Sequence, residues 1–353
     1  MSIPTAPLLA PYTASPLPTQ SLTLITSVLG ATSNWLVLRI LCDALSSAGG
    51  RGGEELEFNA GRGGVRGVVF VSFLRGLEFW RAEARRLGLD LARLSKQGNF
   101  AFVDGVSELF LASQTGPGPA PGPSVASRSA NPARIPSHAT LSDRRAVSGR
   151  SPTATSPQKS SGSASRKLRW SGMGNAGLDS LELEIASAID DLRGDSASDE
   201  RPVENDVLLI MDQPDLLLAA IGPGMGVGAV EMREFLLGLR QRVHSTVVTL
   251  AADSPLIHAG PTESTEQQPT PLEKEHASLV VGMAHQARMV MQLRGLDTGV
   301  ARDVSGVLRI SRGGGWVPET EKGDGHGHAG LEEKEVLYFV QGDSAVRVFG
   351  RGE

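Results

Sequence analysis

Two stretches carry residue types that bear on phosphate chemistry. The first is Leu22 to Leu45, LTLITSVLGATSNWLVLRILCDAL, which reads as a buried strand over Leu22–Thr26, a loop of small residues and an amphipathic helix opening near Asn34. In a strand–loop–helix unit the free N–H groups of the helix start point at whatever lies over the loop, most often phosphate. Laid against G-x-x-x-x-G-K-[ST], Ser27 takes the first glycine position, Thr32 the second, Ser33 the lysine and Asn34 the Ser/Thr, with Gly30 inside the loop. The second stretch is Leu208–Asp212, LLIMD, an apolar strand ending in an acid of the kind that helps hold Mg²⁺ beside a nucleotide. The missing lysine weighs against binding. A charge-assisted contact to phosphate contributes about 1.5–3 kcal/mol, or roughly 10- to 150-fold in affinity. No water-activating acid is evident either, since Gln213, Pro214 and Asp215 follow. The expectation is the scaffold of a phosphate loop without its chemistry, and no cofactor.

Other motifs are weaker. Gly224-Met-Gly226-Val-Gly228-Ala229 matches a dinucleotide fingerprint, but it does not turn directly out of the first strand of a βαβ unit and reads as a pliable loop. His326 and His328 are spaced like a surface metal tract, in Gly-rich surroundings that offer no supporting partners. Ser33, Asp104 and His244 make a triad only on paper, because no G-x-S-x-G elbow frames any serine. The run SFLRGLEFW, Ser72–Trp80, sits just past a strand end, where partners dock on α/β sheets, and concentrates aromatic and Arg residues in a chain only 5% aromatic. Phe73, Arg75 and Phe79 are candidate interface residues there, and Trp80 is read as core.

The elements that must position these residues follow from periodicity. Arg66–Phe73 and Asn99–Val103 read as buried strands, with an apolar helix face at Leu77, Trp80, Ala84 and Leu87 and a short second helix between them. Helices at Leu178–Leu192 and Ala229–Val243 flank the strand ending at Asp212, and Ser245–Ala251 is a fifth strand. After a helix over Pro271–His285 come strands at Ala287–Leu293, Ser305–Ser311, Glu335–Val340 and Ala345–Phe349, whose short connections predict antiparallel pairing; Gly313–Gly330 reads as a polar loop. The fold class is therefore α/β, a mostly parallel central sheet extended by antiparallel C-terminal strands. Phosphate-loop remnant first and hhhhD later is also the order of RecA-like domains.

Composition divides the chain. It has 353 residues, 40% apolar, with 42 Gly and 21 Pro, too many for one compact body. Ser113–Trp170 holds nine Lys/Arg against one acid, so it carries +8 and the remainder −13 of the net −5. The expected organisation is a disordered Pro-rich arm at 1–20, a first part of the domain at 21–112, a disordered basic Pro/Ser/Gly-rich insert at 113–176 and a second part at 177–353. The insert reads as a solvated segment able to touch RNA through counterion release. Cys42 is the only cysteine, on the apolar side of the first helix, and reads as a small buried hydrophobe in a reducing compartment. No stretch reaches the roughly 18 apolar residues of a membrane span, and the N-terminus lacks a basic n-region, so the expectation is a soluble intracellular chain.

A family resemblance rests on LTLITSVLGATSNWLVL, VVFVSFLRGLEFWRAEARRLGLDLARLSKQGNFAFVDGVSELF, DVLLIMDQPDLLLA, AVEMREFLLGLRQRVHSTVVTLAAD, HASLVVGMAHQARMVMQLRGLDTGVARDVSGVLRIS and EVLYFVQGD. Together these resemble the sixth subunits of the Elongator complex, filamentous-fungal forms in particular. The resemblance implies a RecA-like fold lacking working Walker motifs and no catalytic residue in this chain. It implies assembly with Elongator subunits four and five into a heterohexameric ring that binds tRNA, contact with the catalytic Elongator subcomplex that modifies wobble uridine, and a cytoplasmic and nuclear location. The rival readings are a RecA-like ATPase active alone and a RecA-like DNA-repair paralogue.

Overall fold

The structure is a computed structural model that describes residues 7–48, 65, 67–111, 165–194, 207–257, 269–296, 299, 301–318, 331–342 and 345–350. The chain divides into two units, residues 1–110 with 163–353 and residues 111–162. The elements of the first unit run α1 (Ala10–Thr13), β1 (Ser21–Ser27), α2 (Asn34–Ala48), β2 (Gly67–Ser72), α3 (Leu77–Arg86), α4 (Leu91–Lys96), β3 (Phe100–Asp104), β4 (Arg166–Lys167), α5 (Asn175–Arg193), β5 (Val207–Asp212), α6 (Asp215–Ile221), α7 (Ala229–Arg240), β6 (Ser245–Ala251), α8 (Ser254–Ile257), α9 (Pro271–Gln286), β7 (Met289–Arg294), β8 (Gly306–Arg312), β9 (Lys334–Val340) and β10 (Val346–Phe349).

The strands form one sheet in the order β10-β9-β8-β7-β1-β6-β5-β2-β3-β4. From β7 to β4 every neighbour is parallel. From β7 outward to β10 every neighbour is antiparallel. The expected fold class is observed. Continuous apolar runs such as GVVFVS and VLLIMD are buried on both faces, which is what helices on both sides of a parallel sheet require. One face packs α1, α2, α3 and α4, and the other packs α5, α6, α7 and α9.

Three boundaries differ from those read off the sequence. Residues 7–20 do not form a disordered arm. Leu9, Tyr12 and Leu17 are buried against the α2 face, and the Thr13 hydroxyl donates to Asp43 Oδ2 at 2.8 Å, so apolar spacing outweighs the prolines there. The insert does not run to 176. β4 extends β3 in parallel, the Leu168 and Trp170 amides donate to the carbonyls of Asp104 and Leu109, Leu168 is fully buried, and α5 opens at Asn175. Glu108 pairs with both Lys167 and Arg169, and Arg166 pairs with Asp191, so three of the nine cations assigned to a free basic segment belong to the folded body. Finally, the polar loop expected from Gly313 begins as a helix cap. The amides of Gly313, Gly314 and Gly315 donate to the carbonyls of Arg288, Ala284 and Ala287, closing the C-terminus of α9. A Cβ on Gly314 would lie 2.5 Å from the His285 carbonyl oxygen, so only glycine fits without moving backbone. Most of the insert, and His326 and His328, lie outside the described residues.

Replacing residues 112–164 by a short Gly/Ser linker should leave the urea midpoint essentially unchanged. Extending the deletion through 176 removes β4, the buried Leu168 and the first two residues of α5 and should cost more than about 2 kcal/mol. Gly314→Ala should lower the unfolding free energy by about 1–3 kcal/mol in the same measurement, because the displaced backbone cannot relax as a side chain can.

Candidate functional site: the carboxyl edge of the parallel strands

The strand order creates two places where neighbouring strands send the chain to opposite faces of the sheet, and ligands of open α/β sheets bind at such switch points. β1 leads into α2 on one face while adjacent β6 leads toward α9 on the other; β5 leads into α6 and α7 on that second face while adjacent β2 leads into α3 on the first. The two stretches with phosphate-type residues end at these two points.

The loop after β1 closes on itself. Ser27 is buried at the strand end, Val28 and Ala31 form an isolated bridge, and the Ala31 amide donates to the Val28 carbonyl at 2.9 Å. Gly30 has φ +87°, the left-handed conformation such a tight turn needs. The Leu29 amide, a donor a phosphate loop would turn inward, is taken by Asp253 Oδ1 at 2.8 Å. Thr32 is exposed, while Ser33 is buried and its carbonyl receives the amides of Leu36 and Val37 as α2 begins. Asn34 Oδ1 accepts from Arg75 Nη1 at 2.9 Å, and the Arg75 guanidinium lies 4.9 Å from the Phe79 ring centroid.

At the second point Asp212 is completely buried. It lies in a polar row across the sheet, where the pairing register aligns Lys167, Asp104, Ser72, Asp212 and Thr249 on five consecutive strands. Ser72 Oγ donates to Asp212 Oδ2 at 2.8 Å and Thr249 Oγ1 to Oδ1 at 3.0 Å, so both carboxylate oxygens are engaged by protein hydroxyls. Ser72 Oγ in turn accepts the Arg75 amide at 3.0 Å. Burial pushes the Asp212 carboxyl up; the two hydroxyls and the Arg75 charge pull it down, and Asp215 nearby adds to the rise. Gln213 follows with φ +55°, a conformation a side chain resists, held by its amide donating to Thr249 Oγ1 at 2.9 Å and turning the chain into α6. Asp215 is also buried, accepting from the Ala251 amide and contacting His276 Nε2, each at 3.2 Å.

The remaining candidates separate. The Gly224–Ala229 match leads into α7, whose first amides are already filled. Gly228 N–H donates to Glu231 Oε2 at 2.9 Å and Ala229 N–H to Glu275 Oε2 at 2.7 Å. Residues 215–221 form α6, and 223–225 a 3₁₀ turn. Asp104 turns back on its own loop, accepting from the amides of Val106 and Ser107 and from the Ser107 hydroxyl. Burial raises that carboxyl, but these bonds and Lys167 outweigh it and hold the group below its ordinary value. His244 precedes β6, at the opposite edge of the sheet, and its ring contacts the Leu17 carbonyl, so the paper triad is not assembled. Cys42 is half-buried, with its thiol pushed up to about 11, mainly by burial. Phe73 is not an interface residue: at 5% exposure it packs in the core, against the backbone at Gly105. Phe79 and Arg75 remain partly exposed, and Trp80 is core, its ring 4.7 Å from that of Phe70. Among the described residues no group of three or more His, Cys, Asp or Glu could hold a metal ion, and no helix is long and apolar enough to cross a membrane.

The loop and the acid thus lie at the expected edge, with their binding atoms committed to the chain itself. The chain is similar to Elongator complex protein 6 of Rattus norvegicus. The two are 30% identical over 182 residues, half of this chain, and the chain spans 59% of the rat protein's length. The relation is distant. No family profile matches the chain.

Sequence reading missed Ser72, Thr249, Asp253 and Glu275 as partners of these groups. Only register signals the first two: Ser72 ends its apolar strand as Asp212 does, and Thr249 lies two residues before the end of its own.

Because the folded pKa of Asp212 lies above that of the unfolded chain, the native state holds the extra proton, and stability falls as pH rises from about 4 toward the folded value. Asp212→Asn should remove this slope and match or exceed wild type at pH 7. Asp212→Ala strands two buried hydroxyls and should cost about 1–3 kcal/mol at both pH 5 and pH 8 in urea titrations.

Proposed function

We propose that this chain is a non-catalytic structural subunit of a hetero-oligomeric ring formed with Elongator subunits four and five, supporting tRNA binding and wobble-uridine modification by the catalytic subcomplex. One observation carries the reading: the donors and the acid that would grip a nucleotide are consumed internally, Leu29 N–H by Asp253 and Asp212 by Ser72 and Thr249. Mg²⁺ would have to break two buried hydrogen bonds to reach Asp212, and a phosphate would have to displace a carboxylate of like charge from Leu29. The likeness to rat Elongator complex protein 6 supports the choice of complex. Head-to-tail packing in a ring calls for contacts on opposite faces of the subunit.

Co-expression with Elongator subunits four and five, followed by mass measurement of the intact assembly, tests the reading. The expected result is one species containing all three chains. ATP with Mg²⁺ should leave the melting of the isolated chain unchanged, whereas a ligand at 100 times its Kd would add about 2.7 kcal/mol. Failure to recover either subunit overturns the proposal, as does Mg²⁺-dependent turnover by the chain alone that is lost in Asp212→Asn.

A further inference from the structure

We propose that the cavity at the outer edge of β3 is a binding site for a small carboxylic acid with a compact apolar body, its head held by Arg81 and Ser165. β4 pairs only with Val103 and Asp104, so among the described residues the first part of β3, residues 100–102, has no strand on its outer side. A hollow of about 240 Å³ lies there, between α3 and α4 on one face of the sheet and α5 on the other. Its walls are mostly apolar: Leu77, Leu91, Phe100, Phe102, Ala188 and Leu192. At about 30 Å³ each, the share of a water molecule in the liquid, it admits about eight non-hydrogen atoms.

Two buried polar atoms in these walls select the ligand. Arg81 Nη1 donates to Glu78 Oε1 at 2.8 Å, but Arg81 Nε is shut off from solvent with no hydrogen-bond partner among the described residues. The same holds for Ser165 Oγ. Both residues also line an adjoining cavity of about 530 Å³, so the unmatched atoms sit where the two meet. A buried donor left unmade costs free energy, and one acceptor group between Arg81 and Ser165 would satisfy both. The other charged groups are committed. Arg166 Nη2 pairs with Asp191 at 2.5 Å, Lys167 pairs with Glu108, and Asp104 accepts from the amides of Val106 and Ser107. Two arginines against one aspartate leave the first cavity at +1, which suits a monoanion better than a phosphate dianion. The planar arginine fork takes a carboxylate side-on, and a serine hydroxyl donates a further bond. A water would find polar partners at this end and apolar wall elsewhere; an acid with a short branched tail matches both ends.

The site goes beyond the ring reading and is tested on the full chain alone. 4-Methylpentanoate, a branched acid of that size, is titrated by ligand-observed NMR beside its neutral amide and beside dodecanoate. The acid should bind wild type with a Kd of about 1 mM, a typical strength for so small a ligand. The amide should bind about 10- to 100-fold more weakly, the worth of a charge-assisted pair. Arg81→Gln should bring the acid down to the level of the amide, and Ser165→Ala should weaken it several-fold with melting unchanged. Dodecanoate should bind no more tightly than the shorter acid, because the walls close around a fixed volume. Acid and amide that bind wild type alike overturn the anionic head, and that comparison stands even if Arg81→Gln fails to fold. Undiminished binding of the acid to a folded Arg81→Gln overturns it as well. Tighter binding of dodecanoate shows an open apolar surface and overturns the site. No binding of the acid at about 50 times the expected Kd leaves the cavity to water only and overturns the proposal. None of these outcomes bears on assembly with other subunits, so the proposed function stands or falls separately.

Discussion

A carboxylate sealed from water sits at the middle of the sheet and joins three strands. Asp212 on β5 takes hydroxyl hydrogen bonds from Ser72 on β2 and Thr249 on β6, neighbours in the same row of the ladder. An ionised carboxylate in an apolar interior is costly unless both oxygens are bonded, and here both are. The bonds reach outward as well. Ser72 also receives the Arg75 amide at the entrance to α3, and Thr249 receives the Gln213 amide at the entrance to α6. Removing the acid would therefore disturb the exits of two strands and not merely one contact.

The same pattern recurs at the backbone donors near this edge. Helix starts and turns after parallel strands favour anions. In this chain the anions come from its own side chains: Asp253 at Leu29, and Glu231 and Glu275 at the start of α7. Arg75 brings its positive charge to Asn34 and lowers the carboxyl of Asp212. Groups that a nucleotide complex would supply from solution, oxygen acceptors and a cation, are supplied covalently. The edge is then a set of joints between loops, its donors and acids already engaged by the chain itself, which leaves little to capture a phosphate. Reading the chain as a ring subunit draws on this balance and on a distant likeness over half its length.

Some of this was legible in the residues and some was not. The strand at Leu22–Thr26, the VLLIMD strand and the helix face of Leu77, Trp80 and Ala84 were readable because burial imposes a repeat that survives in one dimension. Phe73 was misread because an aromatic beside an arginine looks the same whether it faces a partner or the core; Gly105, across the loop, makes room for it inside. The N-terminal arm was misread because its prolines outweighed the spacing of Leu9, Tyr12 and Leu17. The end of the insert was misread because β4 is two residues long and charged, as an edge strand often is, and leaves no periodic trace.

What the sequence determined alone was local. It specified which segments are strands and helices, that the parallel part precedes the antiparallel part, and that a phosphate loop lacks its lysine and two of its glycines, all set by side-chain type and near-neighbour spacing. What the tertiary structure decided was which atoms satisfy which. Ser72 is 140 residues from Asp212, and Leu29 is 224 from Asp253. A hydrogen bond across that separation depends on strand order and register, which the pattern of apolar residues constrains only as to face.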